Sequence, residues 1–206
     1  MPSKNSVKIY VPGGIYHIYN RGVERRSIFT NNKDYRVFLN LLRLILTPKD
    51  KLEDNDFVTV KNKADSVELL TYCLMPNHFH LMLRQFNENG MTEFMRVLSN
   101  AYVYYFNRQY KRIGSLFQGR YKAALVDRDE YLVHVSRYIH MNPLETDHKL
   151  QEYPYSSYKY LLSGKPPLWL RASPILEQFN GADDYKKFVE DLKEDTLRII
   201  GSLSLD

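Results

Sequence analysis

The segment His78-Phe79-His80 sets two imidazoles two residues apart within a run of β-forming residues. On a strand, side chains at i and i+2 leave the same face. His78 and His80 therefore project together, while Phe79, Leu81 and Leu83 turn to the opposite side, toward a core. Two imidazoles so placed can share one metal ion. The plainer alternative is a pair of surface or hydrogen-bonded histidines on an edge strand. Further along, Tyr138 and Asn142 stand four apart in a stretch of helical periodicity, on one helix face a turn apart. A phenol and an amide in that relation could meet a cation held by the histidines, the amide oxygen as third ligand and the phenol as nucleophile. Here too plainer readings stand alongside. Asn142 precedes Pro143, where Asn often ends a helix. A tyrosine in a chain with seventeen of them is commonly a core aromatic.

The elements that must position these residues follow from periodicity and turn chemistry. A first strand is predicted over Gly14–Arg21, rich in β-formers and closed by Gly22. Asp34 is expected to cap a helix through Val37, Phe38, Leu41, Leu42, Ile45 and Leu46, which Pro48 stops. Residues 49–65 read as a charged surface excursion with a short edge strand at Phe57–Val60. Val67–Met75 and His78–Arg84 form a hairpin about Pro76 and Asn77. A long helix from Thr92 to Arg112 ends at Gly114, and residues 115–126 give a loop and then a strand. Asp127 or Asp129 caps a helix running to Asn142, which Pro143 terminates. This order predicts an α+β fold, an antiparallel sheet flanked by helices. Beyond Pro143 the acidic, tyrosine-rich stretch YPYSSYKYLL and a helix near Asp183–Ile200 predict a C-terminal helical extension.

Composition narrows the function classes. With 206 residues, 44% hydrophobic and 26% charged, the chain suits one domain, alone or with an appendage. No apolar run approaches the ~20 residues of a spanning helix, so no membrane partner is expected. The N-terminal stretch has no apolar signal-peptide core. Cys73 is the single cysteine, which excludes an intrachain disulfide and a multi-cysteine zinc module and suits a reducing, cytoplasmic setting. The net charge of +5 conceals a pattern. Residues 1–46 carry eight Lys/Arg against two acids and residues 96–128 seven against one, while the other two segments are net acidic. Basic groups interleaved with aromatics suit phosphate contact and base stacking, hence a nucleic-acid partner. Tyr102, Tyr105, Phe106 and Tyr110 share one helix face and read as core rather than as base platforms; the arginines beside them are the better contacts. Neither a GxxxxGK[ST] nor an HExxH sequence is present, which argues against nucleotide-driven or zincin-like chemistry.

Four stretches, GGIYHIYNRG, LMPNHFHLML, LFQGRYKAALV and YIHMNP, occur in that order. The set resembles the REP-associated tyrosine transposases, within the HUH single-tyrosine transposases of bacterial insertion sequences, over about residues 10–145. The resemblance implies a ferredoxin-like HUH nuclease fold, with a catalytic domain over 1–145 and the extension over 146–206 packed on it. His78 and His80 match the family's metal-binding pair, Tyr138 its nucleophile and Asn142 the polar residue completing the metal site. It further implies Mg²⁺ or Mn²⁺, although two imidazoles alone would favour zinc or another transition metal. The implied reaction cleaves and rejoins single-stranded, hairpin-bearing DNA through a 5′-phosphotyrosine link. The alternative is a non-cleaving hairpin-DNA-binding protein with the same fold. Arg21, Arg25, Arg26, Arg108, Lys111, Arg112, Arg120 and Lys122 are the candidate DNA contacts. The family contains monomers and homodimers, and the REP-associated resemblance favours a monomer, bacterial and nucleoid-associated.

Overall fold

A computed structural model describes residues 10–53, 60–146 and 148–191. Four antiparallel strands form one sheet in the order β2-β3-β1-β4: β1 (Ile15–Arg21), β2 (Val67–Met75), β3 (His78–Gln85) and β4 (Lys122–Val126). Helices α1 (Asn32–Leu46), α2 (Gly90–Gln109) and α3 (Asp129–Met141) alternate with them, and α4 (Tyr158–Ser163), α5 (Ser173–Leu176) and α6 (Ala182–Glu190) follow. This is the expected α+β architecture. The predicted residues 57–59 of an edge strand, and the predicted helix beyond residue 191, lie outside the described residues; Val60 itself is in a bend.

Strict alternation along the two inner strands divides the sheet into two faces. Phe79, Leu81 and Leu83 of β3, with Tyr16 and Ile18 of β1, join the core beneath α1 and α2. Tyr102 and Phe106 are buried in that core, as the helical stripe predicts. His78, His80 and Met82 face the other way, toward α3. A bulge between Leu69 and Thr71 breaks the alternation of β2, since Leu70 is passed over in the pairing with β3. Leu70 and Thr71 consequently both fall on the α3 side, where Leu70 joins Met82, Val135, Ile139 and residues of α4–α6 in a second core, while Tyr72 and Leu74 return to the first.

Local chemistry explains where several boundaries depart from expectation. Asn31, rather than Asp34, is the N-cap of α1. Its side chain accepts from the amides of Lys33 and Asp34, while the Asp34 carboxylate reaches back to the Asn31 amide in a capping box. Helix α2 begins two residues before Thr92 and ends at Gln109. Lys111, at φ 49°, takes the left-handed position past the helix end, and the Arg112 amide donates to Asn107 O at 2.8 Å. That is a Schellman-type stop three residues before Gly114. Helix α3 starts at Asp129 after Arg128, with no side-chain cap, so neither Asp127 nor Asp129 caps it. At its far end Pro143 does not stop the chain outright; α3 passes into a 3-10 turn over Asn142–Thr146.

Residues after 150 cover the outer edge of β2. The Leu74 amide donates to Tyr155 O, the Ser157 amide to Tyr72 O and the Arg171 amide to Leu69 O, at 2.8–3.0 Å. Helices α4–α6 then close over α3, so the edge strand's backbone is not left open to another chain.

Candidate active site

His78 and His80 lie on β3, an inner strand, which removes the edge-strand alternative. Both are buried, with 7% and 0% exposure. Helix α3 crosses this face and sets the Tyr138 ring edge-on to His80, centroids 5.2 Å apart. Asn142, one turn later, brings Oδ1 to 3.2 Å from Nε2 of His78. The structure therefore brings together all four residues proposed from the sequence. Tyr131, on the same helix, is instead half-exposed, with the Arg128 guanidinium over its ring.

Pro143 accounts for the orientation of the Asn142 amide. Proline has no N–H to donate to Ile139 O, so the helix end leaves carbonyls without their usual partners. The Asn142 Nδ2 group supplies donors there, at 2.8 Å from Tyr138 O and 3.5 Å from Ile139 O. Carbonyl oxygens only accept, so nitrogen must face the helix and oxygen must face the histidines. The same residue thus ends the helix and turns an oxygen ligand into the site.

Two further residues complete the inner arrangement. Nδ1 of His78 lies 2.7 Å from Asn77 Oδ1, at the hairpin turn. Nδ1 of His80 lies 2.8 Å from Nε2 of His17 on β1, the rings stacked with centroids 5.0 Å apart. His17 also meets the Tyr138 ring, 5.6 Å away. Burial lowers the pKa of His17 to about 3, and that of His80 falls well below the ordinary imidazole range through burial and then the neighbouring His78 and His17. The Asn142 side chain acts in the opposite direction on His80. Both rings are neutral at physiological pH, the state a metal ligand requires. Nε2 of His80 is buried and has no hydrogen-bond partner among the described residues.

This donor set fits one cation. His80 offers an unpaired buried nitrogen, His78 a nitrogen beside an inward-turned amide oxygen, and Asn142 that oxygen. No group of three or more His, Cys, Asp or Glu converges on a possible metal position among the described residues, so any metal here depends on the amide. His17 was missing from the expected site because nothing local marks it. Only the register of β1 against β3 makes it a diagonal neighbour of His80.

The basic residues divide into two groups. Arg21 ends β1 directly opposite His78 and is held by Gln118. Arg25 and Arg26 follow in a short 3-10 turn, where Arg26 pairs with Glu24 at 3.2 Å. The loop carrying Arg120 is stitched to the end of β1 through Gly22–Phe117 pairing, Gln118 N to Arg21 O and Asn20 Nδ2 to Gly119 O. Lys122, opposite Tyr19 in β4, sets its ammonium 5.8 Å from the Tyr19 ring centroid. The two basic stretches of the sequence thus meet beside His78. Arg108, Lys111 and Arg112 belong to the end of α2, in the helix layer on the opposite sheet face, with Arg112 over the Phe106 ring.

Comparison with known proteins agrees with this architecture. Residues 11–142 match the family model described as Transposase IS200 like. The fold is similar to that of a REP-associated tyrosine transposase bound to a REP hairpin, with a TM-score of 0.58 and 15% identity over 80% of this chain and 89% of that one. A putative transposase from Deinococcus radiodurans R1 matches at a TM-score of 0.41 and 17% identity, over 69% of this chain and 97% of that one. No curated protein matches significantly. No helix among the described residues is long and apolar enough to cross a membrane. The family model takes in every strand of the sheet and the helix bearing Tyr138, and the chain belongs to the IS200-like transposases.

Proposed function

We propose that the protein is a metal-dependent strand transferase that cleaves and rejoins single-stranded, hairpin-bearing DNA through Tyr138. The observation that carries this reading is the convergence of a phenol on two backed histidines and an amide whose only available orientation turns its oxygen inward. In the reaction the Tyr138 oxygen attacks a backbone phosphorus and loses its proton. The P–O3′ bond breaks, and the departing 3′ oxygen takes up a proton to leave a 3′-hydroxyl. The new 5′-phosphotyrosine conserves the phosphodiester, so a second 3′-hydroxyl can displace Tyr138 without a nucleotide cofactor.

His78, His80 and Asn142 would hold Mg²⁺ or Mn²⁺, with phosphate and water oxygens filling the remaining positions. When bound, the cation would polarise the phosphate and offset its developing charge. The chain's own residues do the rest. His80 and His17 fix the Tyr138 ring by edge contacts. Arg21, Arg25, Arg26, Arg120 and Lys122 surround the His78 end of the sheet and suit the DNA backbone; Arg108, Lys111 and Arg112, at the end of α2 on the other face of the sheet, are read as more distant contacts. The REP hairpin held by the structural neighbour supports a hairpin ligand here as well. One chain supplies the tyrosine and all three proposed ligands, which supports action as a monomer. We assign catalysis to residues 1–145 and read 146–206 as the extension, of which α4–α6 back the tyrosine helix.

The test is a denaturation-resistant protein–DNA adduct, formed on hairpin-bearing single-stranded DNA with Mg²⁺ or Mn²⁺. Wild type should give the adduct, and Tyr138→Phe should bind the DNA but give none. An adduct with Tyr138→Phe would move the nucleophile elsewhere, to Tyr131 first. A wild type that binds hairpins tightly and never reacts with either metal would favour a non-cleaving binding protein.

A further inference from the structure

We propose that His17 is a positioning residue: its Nε2 accepts a hydrogen bond from Nδ1–H of His80 and so holds His80 in the tautomer that keeps a lone pair on Nε2. The inference rests on the reading of His78, His80 and Asn142 as a metal site. Sequence signals leave His17 as one more residue of a strand; the strand register gives it a role.

The nitrogen-to-nitrogen contact between His17 and His80 is 2.8 Å, and both rings are buried. A hydrogen bond between two neutral imidazoles contains one proton, which leaves two arrangements. In one, His17 donates from Nε2 and His80 carries its own proton on Nε2. That would leave a buried N–H with no hydrogen bond formed, since the acceptor nearby, Asn142 Oδ1, is already set against His78 Nε2 at 3.2 Å. In the other, His80 donates from Nδ1, His17 accepts, and the unpaired atom at Nε2 is a lone pair. An unpaired buried lone pair is what a cation satisfies.

His78 shows the same logic with a simpler partner. Its Nδ1 faces Oδ1 of Asn77, whose Nδ2 lies 3.4 Å from Arg25 O and so is turned away from the ring. An amide oxygen can only accept, and Asn142 Oδ1 calls for a proton on Nε2 in the metal-free protein just as Asn77 Oδ1 does on Nδ1. With a cation on Nε2, the Asn77 contact keeps the His78 proton on Nδ1. Both proposed histidine ligands are thus backed at Nδ1, one by an amide and one by a third histidine. Such backing fixes the tautomer and ring orientation of a ligand, and losing it commonly weakens metal binding roughly 10- to 100-fold. His17 lies behind His80 in the stack, and its part is to orient the ligand rather than to touch DNA.

Two measurements on the full-length protein test this. The first is a long-range ¹H–¹⁵N correlation of histidine-labelled wild type at pH 7.5 without metal. It should show His80 with a protonated Nδ1 and a pyridine-like Nε2; a protonated Nε2 overturns the proposal. The second is a Mn²⁺ titration followed by the electron paramagnetic resonance signal of free Mn²⁺. His17→Phe should bind Mn²⁺ roughly 10- to 100-fold more weakly than wild type. His17→Gln retains an acceptor oxygen and should recover most of that loss. Equal affinity for wild type and His17→Phe overturns the proposal, as does a His17→Gln no better than His17→Phe. If His17→Phe does not fold, the wild-type tautomer decides. If wild type takes up no Mn²⁺, the metal-site reading fails, and the tautomer still decides the role of His17.

Discussion

Lowering the pH from 7.5 to 5.0 should cost the protein about 2 kcal/mol of stability through His140 alone. His140 lies on α3 between Tyr138 and Asn142 but points away from them. Its Nε2 is 2.6 Å from Thr71 Oγ1 and 2.8 Å from Ser157 Oγ. Its Nδ1 is 2.7 Å from the Tyr185 hydroxyl, which in turn donates to Ser136 Oγ at 3.1 Å. These contacts tie the tyrosine helix to β2 and to the extension. Full burial lowers the His140 pKa from its ordinary 6.5 to about 3. The titratable groups facing it, Tyr158 and Tyr185, have their pKa values raised by burial and stay neutral across this range. Between pH 6.5 and 3, the unfolded chain therefore binds a proton that the folded chain refuses. Stability from this residue is complete above pH 6.5 and is lost as pH falls toward 3. At pH 5.0, 1.5 units below the unfolded value, the loss is about 2 kcal/mol. Urea unfolding followed by Trp169 fluorescence at pH 7.5 and 5.0 measures the total, to which His17 and carboxylates also contribute. His140→Gln, a neutral side chain that can still hydrogen-bond, isolates the share: its loss between the two pH values should be smaller by about 2 kcal/mol. The same pH loss in both proteins would refute the reasoning.

Asn142→Ala removes the inward oxygen and should slow adduct formation by at least the roughly tenfold that a lost supporting partner costs, with Mn²⁺ affinity falling in parallel in the same resonance titration. A Cβ on Gly22 would lie 2.1 Å from Arg26 O, so Gly22→Ala must shift the turn carrying Arg25 and Arg26. It should weaken hairpin binding in a filter or fluorescence assay while leaving Mn²⁺ uptake nearly unchanged. Asp34 is buried and accepts from the hydroxyls of Tyr105 and Tyr110 at 2.8 and 2.7 Å and from the Thr30 amide at 2.8 Å. Asp34→Ala should therefore cost about 3 kcal/mol in urea unfolding at pH 7.5, combining the lost half of the capping box with lost charge-assisted hydrogen bonds from two half-buried hydroxyls. Lys122→Ala should weaken single-strand binding for all sequences alike and reduce the slope of log affinity against log salt by about 0.7.

Much of this arrangement is legible in the sequence because it rests on local periodicity. The alternation in HFHLML places the histidines on one face, and the four-residue spacing of Tyr138 and Asn142 places them on one helix stripe. Element types and order follow from the same patterns. What the sequence hides is non-local. The pairing of β1 with β3 decides that His17 backs His80, and no pattern within IYHIYNR announces it. Helix ends were displaced where chemistry beyond the nearest capping residue decides. Asn31 outcompetes Asp34 because the two act as a reciprocal pair, and Lys111 accepts the left-handed position three residues ahead of Gly114. The covering of β2 depends on contacts across about 85 positions, such as Ser157 with Tyr72.

The basic segments show why folding changes the meaning of a charge pattern. In the sequence they are two runs separated by an acidic stretch. In the fold, β1 lies between β3 and β4, so residues 21–26 of the first run and the loop of the second run meet beside His78. The site itself remains nearly buried: Tyr138, His78 and Asn142 are 8%, 7% and 4% exposed, whereas Arg25 and Arg120 are exposed. Behind it, the second core of Met82, Val135, Ile139 and α4–α6 excludes water. A phosphate drawn to the outer arginines would therefore move toward a drier interior, where charge interactions are less screened than on the surface. The extension contributes by sealing that interior, and His140 fastens the seal to the helix bearing Tyr138. Under the proposed function, loosening the extension should harm adduct formation more than the first capture of DNA, because that reading gives capture to the exposed basic rim and catalysis to the residues beneath it.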